Sequence, residues 1–288
     1  MSKNDLMCEI LTDSEHIFND YLYYYFRHYK KNLISKFLIK IFDLILIKGQ
    51  KTLSIADIGS GIGFDSLIII KLIKENPKFS NLNIKLTLVE GRLDYLEASK
   101  ELLKGFNIEK YFIQMDFNKC LNIKSESFDI ILCSEVVEHI SEIKQFLLEL
   151  HRILKKDSYF ILTTDNSPNL LQYVKRFPSY ITDNYSTKYR KISPENDSDT
   201  ILSSIEDKKF PIYGHINLKT SSKWEFLLKR CGFKIFNYGT YESVRRGGGK
   251  QSPPFLLFYF FWSAVSYILP PCIAKYIGDT TEMILHKN

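Results

Sequence analysis

What this 288-residue chain has little of narrows its reading first. Cysteine is sparse, and Cys8, Cys120, Cys133, Cys231 and Cys272 stand apart with no paired spacing. Neither a cysteine zinc cluster nor a disulfide framework is indicated, and a reducing cytosol is the natural compartment. The opening MSKNDLMCEILTDSEH is polar and acidic, so no secretory leader is expected there. The chain has no dense Lys/Arg stripe and no separate binding module, which speaks against a nucleic-acid partner. A formal net charge of +6 favours anionic surfaces or substrates, or simply reflects a Lys-, Asn- and Ile-rich bias. With 45% apolar and 25% charged residues, an ordinary globular protein is expected: one large domain, or one domain with an appended piece.

What is present gathers around Lys51 to Ile70, KTLSIADIGSGIGFDSLIII. Leu53 to Ile58 has the apolar density of a buried strand, and an apolar helix pattern begins at Phe64. Gly59, Gly61 and Gly63 lie between them. Without a Cβ, such a turn takes positive φ and lets a ligand approach its amides, while the following helix points its positive end at the same place. A dinucleotide fingerprint would have glycine or alanine where Phe64 stands, and Asp57 sets a negative charge where a pyrophosphate would lie. A cationic ligand fits better.

Before this stretch, residues 14 to 48 are read as two helices, an aromatic one with Tyr21, Tyr23, Tyr24, Tyr25, Phe26 and Tyr29 and an amphipathic one ending at Gly49. After it, strand and helix alternate: NIKLTLVE, RLDYLEASKELLKGF, KYFIQMD, SFDIILCSE, SEIKQFLLELHRILKK and DSYFILTTD. The expected fold is α/β, a parallel doubly wound sheet with helices on both faces, whose ligands lie beyond the carboxyl ends of the strands. Those ends carry Asp57, Glu90, Asp116, and Ser134 with Glu135 in succession. Glu90 is placed to accept the two hydroxyls of a ribose, and Asp116 a hydrogen bond from an exocyclic amine such as adenine's.

These residues resemble the class I S-adenosylmethionine-dependent methyltransferases. DIGSGIG resembles their cofactor loop, LVEGRLDYLEAS the acidic second-strand motif, MDF the adenine-side motif, and FDIILCSEVVEHI with HRILKKDSYFILTT the fourth and fifth strand blocks. GHINLKTSSKWEFLLKRCGFKIF resembles the helix and sixth strand, and IGDTTEMILHKN the closing antiparallel strand. The resemblance implies a Rossmann-like sheet, mostly parallel with an antiparallel last strand, and S-adenosylmethionine as cofactor. It implies that Asp57, Gly59, Gly61, Gly63 and Ser134 belong to the cofactor set, with Glu90 at the ribose and Asp116 and Phe117 at the adenine. Lys156-Asp157 departs from the family's Pro-Gly turn before the fifth strand.

Methyl transfer needs alignment of the reactants, and a proton acceptor where the nucleophile is a hydroxyl. His215, Glu135, His139 and Asp165 are the candidates, with His215 first. As a helix, EVVEHI would put Glu135, Glu138 and His139 on one face, able to hold a divalent ion such as magnesium. This motif resembles metal-dependent RNA 3′-terminal methyltransferases and quinone-pathway methyltransferases.

Residues 1–50 are expected to form an N-terminal helical lid and 51–288 the methyltransferase domain, with 166–213 inserted as an acceptor lid. In 253–271, 15 uncharged residues lie between proline pairs, fewer than the ~17–25 a spanning helix needs. Arg245, Arg246, Lys250 and Lys275 flank the run, so a helix at a membrane surface is expected, with a buried helix or a dimer contact as alternatives. The expected acceptor is a hydroxyl on a small or lipid-linked molecule, a glycan or hydrophobic metabolite, and the expected location is the cytoplasm, at the inner face of the membrane. A quinone-type acceptor, an RNA end and a non-catalytic cofactor-binding partner protein are the alternatives.

Overall fold

The computed structural model describes residues 21–165, 216–217, 219–241 and 280–288. Helix α1 (Tyr21–Ile47) leads into β1 (Thr52–Ile58), α2 (Phe64–Glu75), β2 (Asn83–Glu90), α3 (Leu93–Leu103) and β3 (Glu109–Gln114). Then come β4 (Phe128–Ser134), α4 (Ile143–Ile153), β5 (Leu154–Asp165), α5 (Ser221–Arg230), β6 (Lys234–Tyr241) and β7 (Thr280–Lys287). The seven strands form one sheet of order β3-β2-β1-β4-β5-β7-β6. β1 to β5 run parallel, and β7 lies antiparallel between β5 and β6. The expected doubly wound sheet with an antiparallel last strand is therefore the fold.

Position in the sheet explains the strand sequences. β4 is covered on both faces, so every residue of FDIILCS is buried and the run is almost uniformly apolar. β3, at an edge, has only exposed and half-buried positions. On one face, α1, α2 and α3 share a core with Leu53, Ile55, Leu86, Ile130, Leu132 and Ile161. On the other, α4 buries Phe146, Leu147, Leu150 and Ile153, a helical stripe, and α5 buries Trp224 and Leu228 against Ile58, Ile131, Phe160 and Leu285.

Three boundaries differ from the sequence reading. The two helices expected over 14–48 are, from Tyr21 onward, one helix of 27 residues, because KKNLIS contains no residue that breaks a helix. Its part from Ile34 to Ile45, expected as lid, is core: Ile34, Phe37, Leu38, Ile41, Phe42 and Ile45 are buried, and Phe42 meets Phe79 edge to face at 5.3 Å. The fourth helix ends at Ile153, and Leu154 already pairs with Phe128. The register then shifts, and Asp157 takes φ 55 at the turn where the family carries Pro-Gly. The 166–213 insertion and the 253–271 apolar run lie outside the described residues. Among those described, no helix is long and apolar enough to cross a membrane.

The amino edge of the sheet is tied by charge. Asp129 Oδ2 accepts from the Ser54 N–H at 2.8 Å and from Lys155 Nζ at 2.8 Å, and Oδ1 accepts from Gln50 Nε2 at 2.9 Å. Arg152 donates to Glu149, to the carbonyls of Leu121 and Ile123 and to Ser125 Oγ, which fastens the loop before β4 to α4. The guanidinium holds the Glu149 carboxyl below the usual carboxylate range. Buried Lys287 donates to the carbonyls of His151 and Leu154, capping α4 with positive charge.

Candidate active site

The strand order reverses direction between β1 and β4, and the crevice beyond their carboxyl ends is where such a sheet holds its ligand. The turn after β1 is pinned there by backbone bonds, since Gly59 N and Ser60 N both donate to Val89 O, at 2.8 and 3.2 Å. Gly59 and Gly61 are required for different reasons. Gly59 has φ 71, and a Cβ on it would lie 2.2 Å from Val136 Cγ2, so the turns after β1 and β4 touch only because this residue has no side chain. Gly61 has φ 54, and nothing stands within 4 Å of where its Cβ would be. That open space leaves room beside the turn.

Glu90 ends β2 facing this turn. Its Oε2 accepts from Gly61 N at 2.8 Å and its Oε1 from Arg92 N at 3.0 Å. Each oxygen keeps a second lone pair for a hydroxyl, so the carboxylate is both oriented and able to bind. Asp57 lies beneath the turn, 1% exposed, and accepts from Ser66 Oγ at 2.6 Å, which ties the end of β1 to α2. Asp116 is exposed at the end of β3 and organises the turn that follows. The Asn118 N–H, 3.0 Å away, and the Lys119 ammonium, 3.4 Å away, hold its carboxyl below the usual range. Phe117 packs edge to face on Phe146 at 5.8 Å. Gly63 is the N-cap of α2 and offers that helix no side-chain cap.

The turn after β4 gathers a second polar group. Ser134 Oγ and Thr163 Oγ1 lie 2.8 Å apart, Thr163 Oγ1 donates to Glu135 Oε1 at 3.0 Å, and Glu135 N donates to Thr163 O at 2.9 Å. On the opposite face of β5, Thr164 Oγ1 donates to Glu138 Oε2 at 2.9 Å. Two neighbouring threonines thus hold two different glutamates of one turn. The sequence reading passed over both; their only signal was a buried strand ending in adjacent hydroxyl residues, SYFILTTD.

This geometry corrects the expected metal face. Val137–His139 is a single 3-10 turn preceded by Glu135 at φ 56, so the helical register that would align Glu135, Glu138 and His139 is never established. Glu138 is fully buried, whereas Glu135 and His139 are partly exposed. Among the described residues, no group of three or more His, Cys, Asp or Glu could hold a metal ion. The expected base His215 lies outside the described residues. The segment just after it docks on the same turn: Ile216 N and Asn217 N donate to Glu138 O at 2.8 and 3.0 Å, and Asn217 Nδ2 donates to Ile140 O.

A sheet of this order, with a glycine turn after the first strand and an oriented carboxylate after the second, is that of a class I S-adenosylmethionine-dependent methyltransferase. The sequence profile of the methyltransferase domain family matches residues 50–211, more than half of the chain, and the chain belongs to that family. It is similar to the ubiquinone biosynthesis O-methyltransferase of Pelagibacter ubique, 29% identical over 51% of this chain and 55% of that protein. It is also similar to the methyltransferase YcgJ of Bacillus subtilis, 25% identical over 40% of this chain and 41% of that one. The chain thus spans about half the length of these curated relatives. A Galdieria sulphuraria methyltransferase structure shares the fold at 12% identity and a TM-score of 0.52, covering 90% of this chain and 85% of that one.

The residues present fit the cofactor that this family implies. The oriented Glu90 carboxylate suits a ribose, and the uncovered Gly61 leaves room for a ligand against the backbone.

Proposed function

We propose that the protein is an S-adenosylmethionine-dependent methyltransferase acting on a hydroxyl of a small or lipid-linked acceptor, a glycan or hydrophobic metabolite. The observation that carries this reading is the clasp of Glu90 on Gly61 N and Arg92 N beside the open face of the glycine turn. When bound, S-adenosylmethionine supplies an electrophilic methyl group on a sulfonium. Glu90 holds the ribose hydroxyls, the turn at Gly59 and Gly61 receives the methionine part, and Asp116 and Phe117 border the adenine. Glu135 and His139, in the turn after β4, stand to take the proton of an acceptor hydroxyl, together with His215. A hydroxyl acceptor is supported by the O-methyltransferase relative. The lipid-linked class, and a place in the cytoplasm at the membrane face, are supported by the base-flanked apolar run 253–271.

Calorimetric binding of S-adenosylmethionine and its demethylated product, with and without magnesium, tests the cofactor. Micromolar binding is expected, and Glu90→Ala should weaken it by about 1–3 kcal/mol through loss of charged hydrogen-bond acceptors. A folded protein that binds neither compound would refute the assignment. Turnover on a panel of hydroxyl acceptors, run alongside binding to anionic liposomes, tests the acceptor. Liposome binding lost on deletion of 253–271 in a protein that stays folded supports the lipid-linked class, and no liposome binding removes it.

A further inference from the structure

At the turn after β4, backbone and side chain ask for different residues. Glu135 has φ 56, a conformation in which glycine is free of strain and a glutamate is not. Yet its carboxylate is held in place. Thr163 has one hydroxyl proton and gives it to Glu135 Oε1, so across the 2.8 Å contact it is Ser134 that donates to Thr163. Ser134 and Thr163 are register partners, 9% and 0% exposed, so the pair forms a fixed, directional support. Of the carboxylates that follow β1, β2 and β4, Asp57, Glu90 and Glu138 are buried and Glu135 is partly exposed, while the exposed Asp116 follows β3, on the far side of Glu90.

Strand order says what that carboxylate would meet. β2 and β4 flank β1, so Glu90 and Glu135 stand on opposite sides of the glycine turn, about 10 Å or two strand spacings apart. The turn after β4 touches the glycine turn directly, through Val136 against Gly59. A nucleoside held by its ribose at Glu90 and laid across the open Gly61 would extend its far substituent from the β2 side of the turn toward the β4 side, where Glu135 stands. In S-adenosylmethionine that substituent begins with a sulfonium, and in the demethylated product with a neutral thioether.

We propose that Glu135 is a charge-reading residue that favours the sulfonium form of the cofactor over the neutral product, with Thr163 and Ser134 as its positioning residues. This rests on the methyltransferase reading of the site. A fixed carboxylate attracts a nearby cation and does little for a thioether, so the donor is retained and the spent product let go.

The test is calorimetry of S-adenosylmethionine and S-adenosylhomocysteine on the full chain and on Glu135→Gln, Thr163→Val and Thr163→Ser. Glu135→Gln keeps the shape and removes the charge, and should weaken the sulfonium ligand about tenfold. The thioether ligand should change less than about twofold, and the gap should narrow in high salt as screening takes over. Thr163→Val should lower the preference part of the way, and Thr163→Ser should keep it. A merely structural role would weaken both ligands alike. A preference unchanged in Glu135→Gln, in a protein whose wild type binds both ligands, overturns the inference alone. A folded wild type that binds neither overturns the methyltransferase reading with it.

Discussion

At the amino edge of the sheet, Asp129, Arg152 and Lys287 spend their charge on nearby backbone and side-chain partners. At the carboxyl edge, Glu90 is oriented by the N–H groups of Gly61 and Arg92 and Glu135 by the Thr163 hydroxyl, and Gly59, Gly61 and Glu135 take left-handed backbone. Both edges are polar and both are ordered by hydrogen bonds. What separates them is that one consumes its polar capacity in holding the fold and the other sets part of it beside the crevice; left-handed backbone occurs at both, at Asp157 on the amino edge and at Glu135 on the carboxyl edge.

Substitution at the glycine turn should break this contrast most strongly. Gly59→Ala drives a Cβ to 2.2 Å from Val136 at φ 71, and should cost about 3 kcal/mol in a urea melt and remove the cofactor site with it. Gly61→Ala meets nothing within 4 Å and should cost only about 1–2 kcal/mol for its left-handed backbone, yet reduce cofactor affinity by more than it reduces stability. If both variants unfolded equally, the open face at Gly61 would lose its meaning.

Arg152→Ala probes the other edge. It leaves the Leu121 and Ile123 carbonyls and the Glu149 carboxylate short of donors, and with the arginine side chain 33% exposed water recovers part of the loss. A decrease of about 2 kcal/mol is expected with cofactor affinity unchanged. A change in affinity would mean that the edges are coupled.

Asp157→Gly, at φ 55 on the amino edge, should raise stability by about 0.5–1 kcal/mol and leave binding alone, because the strain there serves no ligand. The smallest effect concerns pH. Burial, then the Lys287 ammonium, pushes His151 below the ordinary imidazole value, so the unfolded chain binds that proton more readily. Its contribution is present above the ordinary value near pH ~6.5 and is lost as pH falls through it toward the depressed folded value. Thermal melts from neutral to mildly acid pH should therefore slope less in His151→Gln than in the wild type. Equal slopes would show that His151 titrates normally.

Much of this was legible because it is written in short-range pattern. The glycines between a buried strand and an apolar helix announced the turn, and alternating strands and helices announced the sheet. Carboxylates closing successive strands announced the edge that binds. The pairing of Glu135 with Thr163 was not legible, because it spans 28 residues in sequence and depends on β4 and β5 lying side by side in a given register. The metal face that EVVEHI would have as a helix is not formed, for a related reason. Its spacing fits a helix, and a single left-handed residue at Glu135 redirects the chain before a helix can start. Likewise the part of α1 from Ile34 to Ile45 read as a possible cover, since an amphipathic stripe does not say which surface it will bury against.

By itself, the sequence determined the element types, the glycine turn and the acidic ends of its strands, because hydrophobic period and backbone freedom are local properties. Only the tertiary structure decided which of the clustered carboxylates would be buried and which would stay partly exposed. Burial and hydrogen-bond partners are set by residues that sheet order and register bring together from far along the chain.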